Sequence, residues 1–212
     1  GFVGGNLLRQ TPFDAVFNPK TIADIRARHF HTIVCAGVRA EKWKANADPA
    51  GDRAGIAALT DHLLKAGCRK LVLVSTVDVY PTPVEVDEDT PIDPAAASPY
   101  GRHRYELEQT LAARFNTTVV RLPGLFGHGL KKNVIFDLLT GNLVDKINPA
   151  GVFQYYNLAN VARDVRWAVE CGLPVVNCAT APVSTAELAR VAFGLELPEK
   201  PGLAAGRYDF RT

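Results

Sequence analysis

Lys70-Leu71-Val72-Leu73-Val74-Ser75-Thr76 is the stretch that decides the fold. Its apolar residues run on without alternating with polar ones, as they do in a strand covered by helices on both faces of a parallel sheet. Working outward, short runs of the same kind recur at 15–18, 32–36, 117–122 and 174–178. Longer stretches between them predict helices at 4–9, 22–28, 52–66, 99–115, 133–139, 161–170 and 185–193. In 52–66 the residues Ile56, Leu59, Leu63 and Leu64 fall at helical spacing. Ser98 followed by Pro99 supplies an N-cap and a first helical turn. The proline-rich, acidic stretch 81–97 reads as an ordered surface loop. Short strands alternating with helices make the fold class α/β, built from βα units around a parallel sheet.

The 212 residues are 47% hydrophobic and 22% charged, enough to bury a core in one domain without staples. The 24 basic and 22 acidic residues leave a net charge of +2 and are spread along the chain. That excludes a nucleic-acid stripe and a membrane-facing basic face. Cys35, Cys68, Cys171 and Cys178 have no CxxC spacing, so they read as free, mostly buried thiols in preference to a disulfide frame or a zinc site. No metal is expected, and the reducing cytoplasm is the expected compartment. No signal peptide and no apolar run of membrane-spanning length is found. The sequence has no methionine and opens inside what reads as a motif. Residues, a first strand among them, are therefore expected to be missing from it.

That opening motif is Gly1-Phe2-Val3-Gly4-Gly5-Asn6-Leu7. Glycines three apart before a helix permit a tight turn and a close approach of backbone to a pyrophosphate at the helix N-terminus. The segment reads as the second half of GxxGxxG, although a plain helix start has the same spacing. With the βα pattern behind it, it predicts a Rossmann-type doubly wound sheet and a cofactor site at Gly1, Phe2, Val3 and Gly4. The residue that selects between dinucleotides falls near Asn18, which lacks the carboxylate expected for NAD, while Lys20 is placed to meet a 2′-phosphate. NAD or NADP is thus expected, with a lean to NADP; the alternative is that Asn18-Pro19-Lys20 is only a turn.

Three further segments resemble the extended short-chain dehydrogenases/reductases of the NAD-dependent epimerase/dehydratase kind. His31-Thr32-Ile33-Val34-Cys35-Ala36-Gly37-Val38 resembles the family's fourth strand and the small-residue turn beside the cofactor. Leu71 to Tyr80 resembles its fifth strand, with Ser75-Thr76 followed by Val79-Tyr80. Glu88-Asp89-Thr90-Pro91 and then Ser98-Pro99-Tyr100-Gly101 resemble the run into the active-site helix. The resemblance covers roughly 1–136, and more loosely the rest through Tyr208-Asp209-Phe210-Arg211.

The resemblance implies a catalytic set of a Ser/Thr, a Tyr and a Lys four residues after the Tyr. Carried over, Thr76 is the hydroxyl residue, ahead of Ser75, and Tyr100 is the acid/base. A cation beside the tyrosine would favour its phenolate and lower its pKa. The chain departs from the pattern at Arg104, which stands where Lys is expected and shares a helix face with Tyr100. It departs again in the helix 52–66, which has no Asn for a proton relay. Taken from the residues alone, Ser75-Thr76 could cap a strand and Tyr100 could pack under Pro99. His103 reads as a helix-surface residue, and His128 as a loop residue open to a substrate contact.

The resemblance also assigns Cys35, Ala36, Gly37, Val38, Ser75, Pro123 and Leu125 to the cofactor pocket, and Tyr80 and Asn133 to the substrate. Lys131-Lys132-Asn133 suits a diphosphate at a helix start, or equally a solvated loop with Asn133 as N-cap. The expected organisation is one domain over 1–212, with 124–160 and 179–212 forming a small substrate lobe. The implied function is an NAD(P)-dependent oxidoreductase, epimerase or dehydratase of a sugar or nucleotide-sugar alcohol. The rival is a non-catalytic NAD(P)-binding sensor or scaffold. The expected partner is a sugar-like small molecule, with no nucleic acid and no membrane, and a homodimer is the assembly considered.

Overall fold

A computed structural model describes residues 1–202 and 204–212. The chain opens with α1 (Phe2–Gln10) and reaches β1 (His29–Cys35), then α2 (Lys42–Ala47), α3 (Pro49–Leu64) and β2 (Gly67–Thr76). A short strand β3 (Val84–Val86) precedes α4 (Pro99–Ala112), β4 (Thr117–Leu122) and β5 (Gly124–Phe126). There follow α5 (Val134–Thr140), β6 (Val152–Phe153), β7 (Tyr155–Asn157), α6 (Val161–Glu170) and β8 (Val175–Asn177). The chain ends in β9 (Val183–Ser184), α7 (Thr185–Phe193) and β10 (Asp209–Phe210).

The central sheet has the order β1-β2-β4-β8, and every pairing is parallel. A parallel neighbour cannot be reached by a hairpin, so α3, α4 and α6 serve as crossovers. In β2, Val72 points into a core shared with Leu7 of α1 and Val161, Val165 and Ala168 of α6. Its neighbours Leu71 and Leu73 point the other way, into a core with Leu63 of α3 and Leu107 and Leu111 of α4. Alternate side chains meet opposite layers, which is why the sequence of the strand is apolar on both faces.

The predicted strand at 15–18 does not form. No strand among the described residues pairs with it, and local β-propensity without a ladder partner does not fix a strand. The predicted helix 22–28 shrinks to one 3₁₀ turn, Ile22–Ile25. Ala27 takes φ +58, its N–H donates to the Lys65 carbonyl, and Gly67 N–H donates to the Arg28 carbonyl, which draws the chain into the sheet instead. The loop 81–97 contains β3, which pairs with β10 from the far end of the chain. Helices α6 and α7 have the predicted limits.

Beyond β4 lie two small sheets, β5–β7 and β6–β9, with α5 and α7 enclosing a separate apolar cluster of Leu138, Ile147 and Ala189. The two parts are tied by buried polar groups. Gln154 accepts from the Phe210 N–H and donates to the Phe210 carbonyl, fixing β10 against the molecule. No helix among the described residues is long and apolar enough to cross a membrane.

Beneath the sheet's C-terminal end, Glu108 of α4 and Arg121 of β4 form an ion pair at 2.7 Å, with side chains only 2% and 6% exposed. Ser75 donates to the same carboxylate, and Arg121 also donates to the Tyr80 hydroxyl at 2.7 Å. Removing one partner of such a pair leaves the other charged and dry. Glu108→Ala is therefore expected to lower stability by about 3–5 kcal/mol in urea unfolding; a loss below about 1 kcal/mol would show that Arg121 is solvated in the native protein.

Candidate active site

The site begins where β2 ends. Thr76 is extended, and its hydroxyl accepts from the Asp78 N–H at 3.1 Å, starting the short turn Val77–Val79. Helix α4 starts against this turn. Ser98 caps it, Pro99 occupies its first turn, and Asn46 of α2 accepts from the Tyr100 N–H at 3.0 Å. Gly101 sits so close to the turn that a Cβ there would lie 1.9 Å from the Asp78 carbonyl oxygen. Only glycine lets the helix approach this far, and that approach brings Tyr100 beside Thr76 and Asp78.

Arg104 lies one turn further on and is 3% exposed. Its guanidinium carbon stands 3.6 Å from the centre of the Tyr100 ring. Its two terminal nitrogens donate to both oxygens of Asp52 at 2.9 and 3.0 Å, to the Arg39 carbonyl at 2.6 Å and to the Tyr100 carbonyl at 2.9 Å. The expected cation is thus at the tyrosine, but on the ring face and with its terminal N–H groups taken by the protein. Asp52 comes from α3, the helix that lacks the relay Asn; a carboxylate there grips the arginine directly.

His103 is a correction to the surface reading. It is 4% exposed and its Nδ1 lies 2.8 Å from Asp52 Oδ2. Burial works to raise the Asp52 carboxyl, but hydrogen bonds and charge from Arg104 and His103 outweigh it and hold the carboxyl below its ordinary value.

The Tyr100 phenol is pushed up, first by burial and then by the Asp78 charge, against the opposing pull of Arg104 and Thr76. The expected lowering by the cation is present as a force but is outweighed. Asp78 itself was not anticipated as a site residue, nor were Lys42 and Tyr208. Tyr208 donates to Asp78 Oδ1 at 2.6 Å and Lys42 Nζ donates to the same oxygen at 2.8 Å. Both Asp78 and Tyr208 lay inside segments that carry the family resemblance. Lys42 had no such signal, because α2 is a single short turn-and-a-half with no apolar period.

The other candidate residues divide. Gly1 is the N-cap of α1 and Phe2, Val3 and Gly4 form its first turn, which carries no acidic residue that would oppose an anion. A Cβ on Gly4 would lie 3.9 Å from Ala36 Cβ, so this turn stands directly over the end of β1. Beyond it Cys35 is buried, Gly37 is exposed, and Ala36 and Val38 are half-buried. Asn18 closes a turn through its side-chain oxygen, which accepts from the Lys20 N–H at 2.9 Å, and both side chains are exposed. Pro123 and Leu125 follow β4 at its C-terminal end. Asn133 caps α5 and donates to the Leu125 carbonyl at 2.7 Å. Ser75 and Tyr80 lie in the Glu108–Arg121 network. His128 is exposed, and its carbonyl accepts from Asn6. No cluster able to hold a metal occurs among the described residues.

The Asp52 carboxyl stabilises the fold above the ordinary carboxylate range, and that contribution is lost as pH falls through its depressed value. Asp52→Asn is expected to cost about 3 kcal/mol at neutral pH, and the gap to wild type should close below about pH 4. Urea unfolding across pH checks this; a gap that stays constant into acid would mean that the carboxylate charge is not what holds Arg104.

The sequence matches the model of the NAD dependent epimerase/dehydratase family over residues 4–170. No curated protein matches it. Among solved structures, a dTDP-glucose 4,6-dehydratase double mutant from Streptomyces venezuelae with NAD bound superposes with a TM-score of 0.73 at 16% identity, covering 100% of this chain and 85% of that one. RMD from Pseudomonas aeruginosa complexed with NADPH gives 0.73 at 18% identity, covering 100% and 83%. A dTDP-4-dehydrorhamnose reductase from Clostridium acetobutylicum gives 0.72 at 15% identity, covering 98% and 86%. With the family model matching most of its length, and a parallel sheet that ends in Thr76 beside Tyr100, the chain belongs to the NAD dependent epimerase/dehydratase family.

Proposed function

We propose that the protein is an NAD(P)-dependent oxidoreductase, epimerase or dehydratase acting on an alcohol of a nucleotide-sugar. The observation that carries this reading is the meeting of Thr76, Tyr100 and Arg104 at the C-terminal end of the parallel sheet, where α/β sheets hold their ligands. The glycine-bearing first turn of α1 over Ala36, with no acidic residue, fits a pyrophosphate, and a nicotinamide, when bound, supplies the hydride acceptor or donor.

In this reading Tyr100 takes the proton of the sugar hydroxyl as it becomes a carbonyl, and returns it in the reverse direction. Thr76 hydrogen-bonds the reacting oxygen. Arg104 keeps the phenol ring in place by stacking, and its pairing with Asp52 makes it part of the wall and not a hand for ribose. We assign the substrate side to the small lobe formed by 124–160 and 179–212, within a single domain. There a cavity of about 290 Å³ is lined by Val134, Asp137, Lys146 and Phe153. The Phe153 ring packs on Tyr208 at 5.6 Å, and Tyr208 binds Asp78, so Phe153, Tyr208 and Asp78 lie in a row between the cavity and Tyr100. A cytoplasmic setting, in which its four free thiols stay reduced, and a homodimer complete the proposal.

The rival reading, a non-catalytic NAD(P)-binding module, draws on the engagement of Arg104, the missing relay Asn and the burial of Tyr100, which is 7% exposed. The family and the Thr76–Tyr100 pairing favour the enzyme.

For the cofactor, Asn18 carries no charge to repel a 2′-phosphate, and Lys20 stands exposed beside it, which supports NADP(H) binding at least as well as NAD(H). The neighbours do not choose, one having been solved with NAD and another with NADPH. Titration calorimetry is expected to show micromolar binding, about 8 kcal/mol, and Asn18→Asp is expected to shift preference toward NAD(H). No heat with either cofactor at millimolar concentration would overturn the reading, and a clear wild-type preference for NAD(H) would overturn the assignment of Asn18.

A further inference from the structure

Tyr100 has two charged systems against it, and they come from different elements. On its ring face is Arg104 from its own helix, paired with Asp52 of α3, which also holds His103. From the turn after β2 comes Asp78, from α2 comes Lys42, and from the C-terminal segment comes Tyr208. The first system is closed. Arg104 is matched by a two-pronged carboxylate, and the pull it still exerts on the phenol is outweighed by burial and Asp78 together.

The second system holds the charge that works against the tyrosine. Asp78 is a carboxylate whose field opposes a second negative charge on the phenol. It is 17% exposed, and its partner Lys42 is 47% exposed, reaching in from α2. Lys42 Nζ lies 2.8 Å from Asp78 Oδ1 and 3.3 Å from the Tyr208 hydroxyl, which itself donates to that oxygen. Three separate segments therefore converge on one carboxylate oxygen, and Lys42 is the cation among them.

We infer that Lys42 is a positioning residue that fixes and neutralises Asp78, so that Arg104 does not have to offset both burial and Asp78 for Tyr100 to carry a phenolate. The inference rests on the proposed role of Tyr100 as acid/base. Lys42 acts through Asp78, and its effect should vanish when Asp78 has no charge.

The test reads the tyrosine itself. The protein is produced with 3,5-difluorotyrosine, whose electron-poor phenol ionises well below tyrosine's. The fluorine resonance of Tyr100 is assigned by its loss in Tyr100→Phe and followed against pH. Lys42→Met is expected to raise the Tyr100 midpoint by about one pH unit. Lys42→Arg should hold it near wild type, and Lys42→Met with Asp78→Asn should bring it back to wild type or below. Lys44→Met removes a neighbouring cation of α2 that pairs with Glu41, and should leave the midpoint in place.

A Tyr100 midpoint unchanged in Lys42→Met overturns the inference. So does a double variant that titrates like Lys42→Met, because the effect would then not pass through Asp78. Lys42 is half exposed, so its substitutions keep the core intact, and Asn in place of Asp78 has the same shape and can still accept from Tyr208. The readout needs neither cofactor nor turnover, so a failure of cofactor binding and a failure of this inference are separate results.

Discussion

The guanidinium of Arg104, lying between the Tyr100 ring and the Asp52 carboxylate, is the contact on which the rest of the site depends. It joins α4 to α3, and through the Arg39 carbonyl it joins both to the segment after β1. A charge this deep would be costly alone, and the two-pronged carboxylate together with two carbonyls meets that cost. The result is rigidity. Tyr100 is held from its face by Arg104, from its backbone N–H by Asn46, and at its helix start by the glycine contact with Asp78. A planar guanidinium suits a wall of this kind better than a flexible ammonium would. The arginine therefore holds the tyrosine and pulls its phenol down, but burial and Asp78 together outweigh that pull.

The groups around Asp78 come from parts of the chain far apart in sequence. The C-terminal strand β10 is held by Gln154 and β3, and this places Tyr208 on Asp78. Lys42 reaches the same oxygen from α2. The Phe153–Tyr208 ring contact joins the small sheets to the carboxylate that Tyr208 binds.

Much of this was legible in the sequence, and the part that was not has clear physical causes. The four sheet strands declared themselves because each must be apolar on both faces. Residues 15–18 have the same composition, but a strand exists only with a partner, and composition does not reveal one. Thr76 and Tyr100 were singled out through the family resemblance of the segments that hold them. Asp52 was overlooked because its meaning comes from Arg104, 52 residues on in the sequence. His103 looked like a surface residue among polar neighbours, yet that side of α4 is covered by the same carboxylate. Asn133 and Asn18 offered two readings each, and the structure shows both engaged in local turns or caps that leave their binding roles to be tested.

The most direct test of the account is hydride transfer in a single turnover. Enzyme in excess, loaded with oxidised cofactor, is mixed with a panel of nucleotide-sugars, and the near-ultraviolet absorbance of reduced nicotinamide is followed in wild type and in Tyr100→Phe. The account predicts that one nucleotide-sugar yields reduced cofactor in wild type and none in Tyr100→Phe, which still binds the cofactor. Equal signals in the two proteins, or bound cofactor that no nucleotide-sugar reduces, would contradict it.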